Sequence, residues 1–103
     1  MLKSKSAVQT RTLDLHGAFV RRTDLSGASL RGANMTRVDA TNAIFRDADF
    51  EGARLDGAIL KGADLTGAKN LTLMQLSSAI IDDHTTLPTY IDRDKLHLPS
   101  IEK

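Results

Sequence analysis

Between Leu13 and Gly67 the large apolar residues recur neither every second position nor at helical spacing, but every fifth. In fives from Leu13 the stretch runs LDLHG, AFVRR, TDLSG, ASLRG, ANMTR, VDATN, AIFRD, ADFEG, ARLDG, AILKG, ADLTG. A small residue, usually Ala, opens each block, a large apolar residue usually stands third, and Gly often closes it. Helices place apolar residues near every 3.6 positions and strands every second one, so a period of five predicts a chain that turns a corner once per block. First and third side chains then point inward from a short strand while the second points out. The last two residues make the turn, where Gly is favoured because it tolerates positive φ. Four blocks close a square coil of about twenty residues, and coils stack at about 4.8 Å. The pattern therefore predicts an all-β solenoid in which each coil touches only its neighbours.

This register assigns the core. Side one stacks Leu15, Met35 and Leu55; side two Val20, Ala40 and Leu60; side three Leu25, Phe45 and Leu65; side four Leu30 and Phe50, then Asn70, where the pattern fails. The opening residues, among them Ala28, Ala33, Ala48 and Ala63, must be small because they crowd the axis. In block VDATN the sizes are exchanged, Val38 for Ala and Ala40 for Leu, which roughly conserves volume.

After the repeat, Thr72 and Gln75 are spaced as a capping box, with Leu71 and Leu76 as its hydrophobic staple. They predict a short helix over about 73–79, within a capping segment 71–81. Leu73, Leu76 and Ile80 share one of its faces, and it lies across the open end over Leu55, Leu60 and Leu65. Residues 82–103 form an irregular tail, punctuated by Pro88 and Pro99, too apolar to be purely disordered. It is expected to pack on the solenoid's side, on a neighbouring chain or on a larger partner. Residues 1–12 form a basic arm (Lys3, Lys5, Arg11); Val8 and Thr10 are in phase with the first and third positions, so 8–12 is expected to add one imperfect side that partly shields Leu13 and Leu15, with little other apolar cover for the first coil. That leaves an edge prone to self-association or to docking on a larger assembly.

The blocks resemble the pentapeptide repeat family, with its loose consensus Ala-Asp/Asn-Leu-x-x; ANMTR at 33–37, ADFEG at 48–52 and ADLTG at 63–67 match best. The run AKNLTLMQLSSAIIDDHTTLP is similar to the C-terminal cap that follows many bacterial repeats of this kind. The resemblance implies a right-handed quadrilateral β-helix with Leu or Phe stacked in a central column, here about three coils over 13–70. Some members of the family protect topoisomerases, with an acidic rod that resembles duplex DNA. Residues 13–67 carry seven basic and eight acidic side chains, a net of −1 on a short stack, which disfavours that role.

Composition narrows the chemistry. The 103 residues make one domain of net charge +1, without Cys, so thiolate metal sites and cysteine nucleophiles are excluded. The balanced charge argues against nucleic-acid binding, for which the basic arm and the Arg21, Arg22 and Lys61 corner are the candidates. Asp82-Asp83-His84 is the densest cluster of ligand types, but adjacent residues converge poorly on one ion, so no metal is expected. Ser26, Ser29, Ser77 and Ser78 have no evident His partner, and there is no phosphate-binding loop motif. A thin solenoid offers no deep pocket, so we expect a non-enzyme without cofactor or small-molecule substrate. No apolar run spans a bilayer and the basic N-terminus lacks an apolar signal core, which predicts a cytoplasmic protein. What remains is contact with protein. Phe19, Ile44 and Ile59 are apolar at outward second positions, and Tyr90, Ile91, Leu96 and Leu98 stud the tail. Together they are the candidate surface of an interaction or scaffold module, a small subunit of a larger assembly.

Overall fold

The computed structural model describes residues 13–96; the arm at 1–12 and Leu98, Pro99 and Ile101 lie outside the described residues. Each side of the square coil is a single parallel bridge at the second position of a block, repeating every twenty residues. Asp14, Asn34 and Arg54 stack on side one, Phe19, Asp39 and Ile59 on side two, Asp24, Ile44 and Asp64 on side three, and Ser29, Asp49 and Lys69 on side four. From residue 13 to residue 47, three backbone bonds tie each block to the next layer. On side one, Leu15 N–H donates to Asn34 C=O (2.8 Å), Gly17 N–H to Thr36 C=O (2.9 Å) and Asn34 N–H to Leu13 C=O (2.8 Å). A bond across each corner, such as Ala18 N–H to Leu15 C=O (2.9 Å), closes the turn.

The residue closing each block has positive φ, whether Gly or not: Arg22, Arg37, Asn42 and Asp47 take φ 57–62 where Gly was expected. An L-residue in that region costs roughly 1–2 kcal/mol. The corner is therefore imposed by packing and the ladder, with Gly relieving strain rather than creating the turn.

The inward register is as the period predicts. Met35, Ala40, Phe45, Phe50, Leu60 and Leu65 are completely buried, as are the axial Ala33, Ala43, Ala48, Ala58 and Ala63. The exchanged pair Val38 and Ala40 is buried too. Leu15, Val20 and Leu25, one layer earlier, are partly buried against this core. Phe45 and Phe50 meet around the corner between sides three and four, ring centroids 5.4 Å apart and tilted by 60°.

Beyond Asn70 the chain runs a further, irregular turn. Helix α1 (Leu73–Ser78) has both halves of its capping box in place. It does not lie across the whole end. It takes the place of side one in the next layer, where Gly57 N–H donates to Ser78 C=O (2.8 Å). Ile80 then bridges Ile59 on side two and Thr86 bridges Asp64 on side three, at offsets of 21 and 22 instead of twenty. Leu76 is the buried residue of α1, whereas Leu73 and Ile80 are 37% and 39% exposed, so the expected three-residue face is not formed. Six helical residues are too few for a stripe at 3.6 spacing to decide which side is covered.

Side chains finish what the backbone ladder leaves open. Gln75 Nε2 donates to Phe50 C=O and Ala53 C=O, both at 2.9 Å. The Tyr90 hydroxyl donates to Ala68 C=O (2.6 Å) and accepts from Leu71 N–H (3.1 Å). Buried Thr85 Oγ1 donates to Leu60 C=O (2.8 Å). Arg93 reaches Asp82 C=O (3.2 Å) and Thr85 C=O. The tail up to residue 96 thus packs on the chain's own coil, with Ile81 and Leu96 in the core cluster and Leu87 and Ile91 against it.

Candidate interaction surface

The outward positions carry two layers of polar order before any apolar one. Asp or Asn at the second position accepts a bond from the backbone N–H two residues on: Asp14 from His16 (3.1 Å), Asn34 from Thr36 (3.1 Å), Asp49 from Glu51 (3.0 Å). This local bond stiffens the strand-to-corner step. Where the fourth residue is Ser or Thr, its hydroxyl donates to the same carboxylate, and Ser26, Thr41 and Thr66 hold Asp24, Asp39 and Asp64 below the ordinary carboxylate range in this way.

The second layer was not apparent from the sequence. Arg21 reaches Asp39 (2.9 Å), Arg31 reaches Asp49 (2.9 Å) and Arg46 reaches Asp64 (2.9 Å), each eighteen residues on. The expected Arg31–Glu51 pair also forms, at 2.8 Å. Asp49 gathers Asn70 Nδ2, Arg31 and Glu51 N–H, which hold its carboxyl down to about 2. These pairs are well exposed on the Arg side and contribute little energy singly. Their effect is to neutralise outward charge: Asp39, Asp49 and Asp64 each face an Arg, and Arg21 is not free for an anion at the corner it shares with Arg22 and Lys61.

Against this background the apolar outward residues separate. Phe19 is 80% exposed and no part of the tail covers it among the described residues. Up side two, Asp39 is nearly buried beneath Arg21, Ile59 is half-buried, and Ile80 bridges Ile59 and is part-exposed. Phe19, Ile59 and Ile80 therefore lie along one side, while Ile44 stands half-buried on the next. Tyr90 keeps an exposed ring but its hydroxyl is committed to the coil, and Ile91 is half-buried. Leu96 is a core residue and is withdrawn from the candidate surface. Ile80, which sequence reasoning placed inside the helix face, joins that surface instead; the signal was its position one coil above Ile59, offset by a single residue.

A shallow groove of about 250 Å³ runs between α1 and side one, lined by Arg54, Leu55, Asp56, Met74 and Gln75 among others. Leu55 has the one third-position amide of the repeat without a ladder acceptor among the described residues, because α1 replaces the strand that would supply it. Asp82 Oδ1 is occupied by Gly62 N–H (3.0 Å), His84 N–H (3.0 Å) and Thr85 Oγ1 (3.2 Å), so the Asp82-Asp83-His84 run serves a turn. Among the described residues no helix is long and apolar enough to cross a membrane.

The model for pentapeptide repeats (8 copies) matches residues 13–47, 33–69 and 43–81. No curated protein matches the chain. Among solved structures it is similar to Rfr23, a pentapeptide repeat protein from the cyanobacterium Cyanothece 51142, at 27% identity and TM-score 0.65, over 75% of this chain and 52% of that one. It is also similar to HetL, a pentapeptide repeat protein involved in heterocyst differentiation regulation in Nostoc sp. strain PCC 7120, at 32% identity and TM-score 0.53, over 71% of this chain and 36% of that one. The chain thus spans about half of the first structure and about a third of the second.

Proposed function

The chain belongs to the pentapeptide repeat family, whose members fold as right-handed quadrilateral β-helices and are generally non-catalytic, and from that premise we propose that it is a protein–protein interaction module, a small scaffold or subunit of a larger assembly. Residues 71–96 serve as the C-terminal cap of about three coils, with α1 as one side of that cap. The observation that carries the reading is side two: an apolar line of Phe19, Ile59 and Ile80 around an Asp39 neutralised by Arg21. A large exposed aromatic rimmed by polar residues marks a contact site. Duplex-DNA mimicry is disfavoured, because Asp39, Asp49 and Asp64 each lie against an Arg.

Affinity capture from the source cell, run in parallel with the wild-type chain and Phe19→Asp, tests this. Phe19 is exposed enough that the substitution leaves the circular dichroism spectrum and melting temperature unchanged within about 0.5 kcal/mol. The expected result is a discrete partner retained by wild type and reduced at least about tenfold with Phe19→Asp, the size of a central aromatic contact. Identical captures with both chains would remove side two as the contact surface.

A further inference from the structure

We propose that side two receives an acidic amphipathic helix of a partner protein, laid along the solenoid axis; the inference rests on the interaction reading and names the chemistry of the partner. Side two differs from its neighbours in what it offers. Phe19, Ile59 and Ile80 lie along it, and Phe19 is 80% exposed. The corresponding residues of side one are Asp14, Asn34 and Arg54, and those of side four are Ser29, Asp49 and Lys69.

The backbone of this side is already paired between layers. Val20 N–H donates to Asp39 C=O (2.8 Å), Asp39 N–H to Ala18 C=O (2.8 Å), Ala40 N–H to Ile59 C=O (2.9 Å) and Ile59 N–H to Val38 C=O (2.8 Å). Leu60 N–H donates to Ile80 C=O and Ile80 N–H to Ala58 C=O, both at 2.7 Å. An extended peptide laid on this side would gain no main-chain bonds, on which strand addition depends. A helix arrives with its own backbone groups paired and needs only side chains beneath it. The spacing suits one. Layers repeat at about 4.8 Å and one helical turn rises about 5.4 Å. Residues i, i+4, i+7 and i+11 of a helix therefore face Phe19, the Asp39–Arg21 pair, Ile59 and Ile80 in turn. Over these three steps the helix outruns the layers by about 2 Å, which a small tilt absorbs.

The corners on either side select the sign of charge. Arg22 and Lys61 stand on the corner after side two and Arg37 on the corner before it, all exposed. Arg37 leans up its corner, its Cγ 3.3 Å from where a Cβ on Gly57 would stand, which brings it toward the layer of Ile59. Among the described residues none of the three pairs with a carboxylate, and Asp56, on the same corner as Arg37, faces Arg54 at 3.6 Å. The Asp39–Arg21 pair between Phe19 and Ile59 is neutral as a unit. Three positive charges thus flank the apolar line, and Glu on both edges of a helix's apolar face answers them. A nucleic-acid backbone would answer the charges but leave Phe19 in water.

Fluorescence anisotropy of a labelled, side-chain-stapled helix of about 18 residues tests this. The probe carries Leu at i, i+7 and i+11, Gln at i+4 and Glu on both edges; a twin carries Lys in place of Glu. Both are titrated with wild type, Phe19→Asp, Lys61→Glu and Lys69→Glu, the last making the same charge change on the opposite side, and each variant is first checked for an unchanged circular dichroism spectrum. We expect the acidic helix to bind wild type with Kd below about 100 µM, and the Lys twin at least about tenfold more weakly. Phe19→Asp should weaken the acidic helix at least about tenfold, Lys61→Glu about threefold, and Lys69→Glu not at all. No binding of the acidic helix, equal binding of the two helices, or binding indifferent to Phe19→Asp would overturn the proposal. So would equal losses with Lys61→Glu and Lys69→Glu, or displacement of the helix by duplex DNA, which would assign the corners to phosphate. A Phe19-dependent capture from the cell for which the acidic helix does not compete would refute the helix while leaving the interaction reading in place.

Discussion

Phe45→Ala is expected to destabilise the chain by about 3–5 kcal/mol, the range for deleting a buried aromatic side chain. Phe45 is fully buried on side three between Leu25 and Leu65, with its ring tilted against Phe50. Coil backbones above and below are fixed by the ladder, including Phe45 N–H to Asp64 C=O at 2.8 Å, so the layers cannot close over the space. The cost should fall in the upper half of that range. Urea unfolding followed by circular dichroism gives the number, and a double-mutant cycle with Phe50→Ala should add a coupling of about 0.5–1.5 kcal/mol. A loss below about 1 kcal/mol would mean that the column is not packed as described.

Ala48→Leu tests the axis instead of the column. Ala48 is fully buried, its N–H donates to Phe45 C=O (3.1 Å) and its C=O accepts from Lys69 N–H (2.7 Å). A larger side chain there crowds the opening residues Ala43, Ala53 and Ala68, which are buried with it. We expect a loss of about 3 kcal/mol, the top of the usual overpacking range. The exposed control Glu51→Leu, three residues on at the next corner, should stay within about 0.5 kcal/mol. Wild-type melting of Ala48→Leu would show that the opening position is not inward.

Why the core was legible and the corners were not follows from what each depends on. Inward positions are set by side-chain alternation on a short strand, so Met35, Phe45 and Leu60 could be placed by counting, and even the Val38/Ala40 exchange kept its phase. Corner residues answer to the next layer. A Cβ on Gly57 would press on Arg37 Cγ at 3.3 Å, and on Gly62 and Gly67 it would collide with the side chains of Asn42 and Asp47. Three non-glycine corners, Arg37, Asn42 and Asp47, thus lean over a glycine twenty residues on, a dependence invisible within one block. The Arg-to-Asp pairs at eighteen were missed for the same reason: the fourth-position Arg leans back along its own side to the second-position Asp one layer up, as in Arg46–Asp64.

Past Asn70 the period stops, and with it the certainty of counting. The capping box fixed α1 because it is a local signal. The packing of Leu96 and the exposure of Leu73 depend on a turn with offsets of 21 and 22, for which no repeat was available. On the candidate surface, Phe19 was legible as an apolar residue at an outward position, whereas Ile80 required the coil to be built first.

The most direct measurement of the twenty-residue square coil is of scalar couplings across hydrogen bonds by NMR. The amides of Val20, Met35, Phe45 and Phe50 should couple to the carbonyl carbons of Asp39, Arg54, Asp64 and Lys69, each nineteen residues on. The amides of Asn34 and Asp39 should couple back to Leu13 and Ala18, each twenty-one residues before. Couplings at these two spacings on all four sides are the expected result. Couplings four residues apart through 13–67, or a ladder at any other spacing, would contradict the square coil and everything built on its sides.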